Sequence, residues 1–238
     1  MAFSSLLVVA LLAAGCAERP LAATPLPDLV STEPAQPIRI SVAEPIVVAG
    51  ERMAWNVSWR GLEVGRVQHA VGNERRRAVT VTSEFVTRGM AARIAPMRHE
   101  LTTLLDGNSG LPLGGIDILS ADGVSKRAEY TNERFRSDEV HTFHSALATL
   151  RAWVKPRANP GYVMVLHQRT LYRVDVATPT VEAERLRVDA RAVESEKRGN
   201  FVALTLWFSL DAAHVPVALE VDDDRGRVAA ELIEREIL

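Results

Sequence analysis

The 238-residue chain has a single cysteine, three lysines against 25 arginines, and aromatic side chains at only 5% of positions. One cysteine excludes an internal disulfide, so stability must come from packing and hydrogen bonding. The balance of 28 Lys and Arg against 30 Asp and Glu gives a net charge of −2. That excludes the strong basic excess of a typical nucleic-acid binder, and no nucleic-acid partner is expected. The arginine bias fits a GC-rich genome rather than an arginine-based site. The longest apolar run, Phe3 to Ala14, has 12 residues and falls short of the roughly 20 that a spanning helix needs. At 47% hydrophobic residues, the chain can nevertheless bury a core.

The cysteine, Cys16, closes the segment Leu12-Ala13-Ala14-Gly15-Cys16 directly after that apolar run. The segment resembles a bacterial lipobox, in which small residues precede a cysteine that receives a diacylglyceryl group before cleavage. The resemblance implies that residues 1–15 are a signal peptide and that Cys16 becomes a lipidated N-terminus with the membrane as its partner. Leu12 stands one place further upstream than in the usual pattern, and Met1 to Ser5 carries no Lys or Arg. Ala17, by resemblance to Gram-negative sorting signals, does not mark inner-membrane retention, which implies the periplasmic side of the outer membrane. The other reading of these residues is an ordinary signal peptide cut near Ala14, leaving a soluble periplasmic protein. Residues 16–49 hold six of the twelve prolines, at 20, 25, 27, 34, 37 and 45, and read as an extended tether whose apolar end, Ile38 to Val48, can pack on the domain.

From Gly50 onward the pattern is period two. Trp55, Val57 and Trp59 alternate with Asn56, Ser58 and Arg60, as in a half-buried strand. Similar alternation recurs near 64–71, 79–85, 99–105, 116–119, 124–131, 162–167, 171–176, 181–193, 204–209, 216–221 and 227–238, with turn signals such as Asp106-Gly107-Asn108-Ser109-Gly110 and Ala121-Asp122-Gly123 between strands. One amphipathic helix is predicted over about 138–154. Phe143, Leu147, Leu150 and Val154 form its apolar stripe, Ser137 or Asp138 caps it, and Pro156 prevents extension. The expected fold is mainly β over residues 50–238: a strongly curved antiparallel sheet forming an open or flattened barrel, with the helix packed on it. Met90, Ile94 and Met97 sit at helical spacing and are a candidate lid over an apolar ligand, or else a packing plug.

Candidate chemistry is sparse. His141 and His144 lie three apart on the expected helix, but no third ligand completes a zinc site, and a solvated helix face explains them. Ser209, Asp211 and His214 are the residue types of a hydrolytic triad crowded into six positions, where turn chemistry suffices for Ser209 and Asp211. Asp222 to Asp224 lacks the spacing of a calcium loop. No catalytic residue, cofactor or metal is expected.

Three segments together resemble the exported bacterial proteins grouped as domain of unknown function 3108. They are Gly50-Glu51-Arg52 leading into Trp55-x-Val57-x-Trp59, then Ala146-Leu147 with Leu150-Arg151, then Trp207-Phe208-Ser209-x-Asp211-x-x-His214-x-Pro216. The last departs from the family, which usually has Arg where this chain has His214. The resemblance implies an envelope location and a mostly antiparallel β fold, and no established activity. The expected function is a non-enzymatic binding module for an apolar envelope ligand or partner. Alternatives are an assembly factor that contacts envelope proteins through a sheet edge, and, more remotely, a metal-dependent enzyme using the helix histidines.

Overall fold

A computed structural model describes residues 38–73, 78–131, 140–195, 201–223 and 226–238. Cys16, Ser137, Asp138, Glu139 and Asp224 lie outside these residues, as does most of the tether. The N-terminal half contributes β1 (Ile38–Arg39), β2 (Glu51–Trp59), β3 (Leu62–Val71), β4 (Ala78–Thr87), α1 (Gly89–Ile94), β5 (Met97–Asp106), β6 (Pro112–Ala121) and β7 (Val124–Thr131). Then come β8 (Val140–His141) and α2 (Phe143–Trp153). The C-terminal half is β9 (Gly161–His167), β10 (Thr170–Val176), β11 (Thr180–Glu182), β12 (Arg185–Glu194), β13 (Phe201–Ser209), β14 (Pro216–Asp223) and β15 (Gly226–Ile237).

All the strands form one sheet, in the order β1-β9-β10-β12-β13-β14-β15-β2-β3-β4-β5-β6-β7, with β8 also on β9 and β11 on β12. Two meanders, β2–β7 and β9–β15, therefore meet in mid-sheet, where β15 pairs antiparallel with β2. Leu238 N–H donates to Gly50 O at 3.1 Å beside that seam. The sheet is open, because β7 and β9 share no backbone pairing among the described residues. A sheet of this many twisted strands curls. Its two ends approach through side chains instead, with Tyr130 of β7, Val140 of β8 and Leu166 of β9 in one buried cluster.

Period two explains which face is inside. Met53, Trp55 and Val57 of β2 are buried with Val67 of β3 and Phe85 of β4, and Val188, Leu204 and Val221 line the other half. Gly65 sits where β2, β3 and β4 crowd. A Cβ there would lie 2.5 Å from Phe85 Cε2 and 2.6 Å from the Val86 carbonyl oxygen. Gly65→Ala is expected to destabilise the domain by about 1–3 kcal/mol, read as a lower denaturation midpoint, because both neighbours must move.

Several expectations need correction. The helix starts at Phe143, not near 138. Val140–His141 is a strand parallel to β9, and Thr142 is the cap. Thr142 and Ser145 form a capping box: Ser145 N–H donates to Thr142 Oγ1 at 3.4 Å, and Thr142 N–H to Ser145 Oγ at 2.9 Å. The helix is also buried well beyond its apolar stripe, since His144, Ser145, Ala148, Thr149 and Arg151 are all buried. It lies in the trough of the curved sheet. The run 181–193 is two strands, turning at Ala183 and Glu184 with φ of 45° and 62°. Residues 38–49 join the domain: Ile38–Arg39 pairs with β9, Ile40 is in the core, and Ile46 N–H donates to Ala148 O at 3.1 Å.

Candidate functional site

The three sequence segments that carry the family resemblance meet at one buried ion pair. Glu51, at the start of β2, is fully buried and takes Arg151 of α2 in a fork, at 2.6 and 3.2 Å, together with Arg235 Nε of β15 at 2.9 Å. Burial pushes the Glu51 carboxyl up, but its bonds to Arg151 and Arg235 outweigh that and hold it below the ordinary carboxylate value. Arg151 Nε donates to Ala213 O at 3.1 Å, and His214 Nδ1 donates to the Arg151 carbonyl at 2.7 Å. Trp55 Nε1 donates to Pro216 O at 3.0 Å. The helix, the central seam and the β13–β14 corner are thus locked together.

That corner is built by its polar side chains. Ser209 Oγ–H donates to Asp211 Oδ1 at 3.0 Å, Ala213 N–H donates to the same oxygen at 2.9 Å, and Val215 N–H donates to Ser209 Oγ at 2.8 Å. His214 faces Arg151 rather than Ser209, so the three residues do not assemble as a triad. Trp207 is half-buried on β13 and pairs in register with Ala218 of β14, the strand that Pro216 opens.

A second polar set fixes the helix N-terminus. His69 of β3, Ser83 of β4 and His144 of α2 form a chain at 3.0 and 2.9 Å. His144 Nδ1 continues it to Thr103 of β5 at 2.9 Å, and Thr103 donates to Thr142 at 3.2 Å. His141 hydrogen-bonds with Ser145 at 3.2 Å. Burial pushes His69 down to about 4, with Glu51 opposing and Arg151 adding to the effect. It likewise pushes His141 down to about 4, aided by Arg39, and His144 well below its usual value, aided by His69. His141 and His144 are therefore neither on one helix face nor solvated, and each is engaged with different hydroxyls. The gap left between α2 and β3–β5 is about 20 Å³, room for a single water.

A third set bridges the two ends of the sheet. His99 Nε2 of β5 lies 2.7 Å from Asp117 Oδ1 of β6, and His167 Nδ1 of β9 lies 3.1 Å from Asp117 Oδ2. Exposures are 2%, 1% and 3%. Burial pushes His167 down to about 3, with Asp117 opposing and His99 adding to the effect. Sequence reading passed over this set, because its members lie 18 and 50 positions apart with no local motif. Its one available signal is phase: Asp117 shares a face with the apolar Leu119.

On the outer face, strand register builds a groove of about 470 Å³ across β15, β2, β3, β4 and β5. Ala54 and Ala70 are its low floor, beside Gln68, Thr82 and Thr102. Its walls carry ion pairs: Arg66–Glu234 at 2.8 Å, Arg52–Glu236 at 3.5 Å, and Arg98 with Glu84 at 2.6 Å and Glu100 at 2.9 Å. The lid candidates do not come together. Met90 and Ile94 of α1 are 75% and 70% exposed, while Met97 is buried on β5.

No family model matches the chain, and no curated protein matches it. Among solved structures, a β-barrel-like protein of domain of unknown function 1849 from Brucella abortus is similar, with TM-score 0.51 and 9% identity over 84% of this chain and 99% of that one. A protein from Parabacteroides distasonis provisionally assigned as a lipoprotein gives TM-score 0.36 at 8% identity over 82% and 99%. A protein from Bacteroides fragilis, provisionally assigned as exported and with a YmcC-like fold, gives 0.29 at 10% over 82% and 100%. The first of these supports the barrel-like fold, and nothing further is drawn from the other two.

Proposed function

We propose that the chain is a non-enzymatic envelope protein, anchored through Cys16 on the periplasmic side of the outer membrane, whose domain binds a protein partner on its outer face. The lipobox-like segment and the proline-rich tether support the location. The observation that carries the binding mode is where space lies. In the trough, α2 and its hydrogen-bonded histidines stand beside a gap of about 20 Å³, while the groove outside offers about 470 Å³. An acyl chain has no apolar slot in that groove. Walls of paired Arg and Glu suit a polypeptide segment that exchanges these ion pairs for its own.

A photoreactive residue at Gln68 or Thr102, activated in cells, is expected to capture one protein. Arg66→Glu with Arg98→Glu is expected to cut that capture at least severalfold while leaving the fold intact. Stoichiometric lipid in the native mass spectrum of gently extracted protein contradicts the proposal, as does the absence of any crosslink. A second mode is favoured by topology: β7 pairs only with β6 among the described residues, leaving an edge for strand addition. Capture from Lys126 instead of Gln68 identifies that mode.

A further inference from the structure

The seam where the two ends of the sheet meet holds a donor set that its hydrogen bonds do not satisfy. His99, Asp117 and His167 each offer a ligand atom, and these atoms all lie within 4.8 Å of one another. Among the described residues, Asp117 Oδ2 and His167 Nε2 are buried with no hydrogen-bond partner. The 3.1 Å approach of His167 Nδ1 to Asp117 Oδ2 is thus a close contact without hydrogen-bond alignment. A carboxylate at 1% exposure needs a positive charge nearby, yet the ion-pairing partners of Asp117 among the described residues are two imidazoles, neither permanently cationic.

The geometry points to a divalent-cation site at His99, Asp117 and His167, most suited to zinc. Two imidazole nitrogens and one carboxylate oxygen are a zinc donor set. Around a four-coordinate zinc, with bonds near 2.0–2.1 Å, ligand atoms sit about 3.3 Å apart. The observed 2.7 and 3.1 Å, which reach the two different oxygens of Asp117, must open by about 0.6 and 0.2 Å, and no ligand pair lies further apart than 4.8 Å. The ion would stand in place of the hydrogen bond between His99 and Asp117, and water would take the fourth position.

The placement gives the site a task. His99 and Asp117 stand on β5 and β6, near one end of the sheet path, and His167 on β9, near the other. These ends share no ladder among the described residues. One ion ligated from both would staple the open sheet into a closed barrel where backbone pairing does not. With all three ligands at 3% exposure or less, the site is structural, with no path for a substrate.

The test uses the full-length chain in detergent, unfolded with chelator and refolded with or without Zn²⁺. Roughly one equivalent of bound zinc is expected, with a melting temperature raised by roughly 5–10 °C at a hundredfold excess over the dissociation constant. Refolding with Co²⁺ is expected to give the visible absorption of a tetrahedral site, lost in Asp117→Asn and in His167→Gln. Two results overturn the proposal. One is wild-type protein that refolds fully and binds neither Zn²⁺ nor Co²⁺. The other is metal binding and a thermal shift that persist unchanged in Asp117→Asn. If a variant fails to refold, the wild-type zinc stoichiometry and cobalt spectrum still decide.

Discussion

Taking the pH from 7 to 5 is expected to remove several kcal/mol of stability and bring the domain close to unfolding, well above the range in which carboxylates titrate. His69, His141 and His144 are buried and held neutral in the fold, with the first two near 4 against an ordinary value of 6.5 and His144 well below it. Once unfolded, all three titrate near 6.5. Below that pH the unfolded chain takes up protons that the fold refuses, so stability is full above about 6.5 and falls steadily as the pH drops toward 4. Each group contributes about 1.4 kcal/mol per pH unit in that window, about 4 for the three together, against a typical total of about 5–15 kcal/mol. The charged groups around them do not reverse the sign. Glu51 favours protonation of His69, but Arg151 opposes it, Arg39 opposes that of His141, and His69 opposes that of His144. Denaturant titrations at pH 7, 6 and 5 check this. A denaturation midpoint that stays level across that range means the histidines are not buried as described.

Replacing Arg151 is expected to have the next largest effect. Arg151→Met leaves the fully buried Glu51 with Arg235 alone and strands the Ala213 carbonyl. Removing one partner of a buried pair costs about 3–5 kcal/mol, or roughly 10 °C in melting temperature for a domain of this size. Removing both charges costs less, because the only charge left unpaired is that of Arg235, whose side chain reaches solvent. Glu51→Gln with Arg151→Met is therefore expected to be more stable than Arg151→Met alone. A double variant weaker than either single one contradicts the account, as does a single Arg151→Met variant with unchanged stability.

The strands were largely legible because most of them bury one face, and the period-two positions of β2 and β4 are the ones buried. The β13–β14 corner was legible for a local reason as well: Ser209 and Asp211 accept the backbone N–H groups that the turn exposes. The burial of the polar side of α2 was not legible. A stripe of Phe143, Leu147, Leu150 and Val154 tells which side of a helix is apolar, not whether a sheet also wraps the opposite side. The small residues on that side, Ser145, Ala148 and Thr149, leave room for the sheet to come close, and Arg151 finds Glu51 a hundred positions away. The helix start was misplaced because Val140 and His141 pair with β9, a contact set by tertiary structure. Asp117 was assigned no role because its partners are distant in sequence and its alternation with Ile116 and Ile118 looks like an outward-facing residue.

The central claim is that α2 lies inside the curved sheet, held on its polar side as well as its apolar one. Thr149 lies opposite the apolar stripe and is 5% exposed. In a Cys16→Ser background the chain has no other thiol, so Thr149→Cys reports that face alone. Its labelling by a thiol reagent under native conditions is expected to proceed only through global unfolding, and to accelerate as denaturant is added. Labelling within seconds in the native protein, while circular dichroism shows an intact fold, places the helix outside the sheet and contradicts the account.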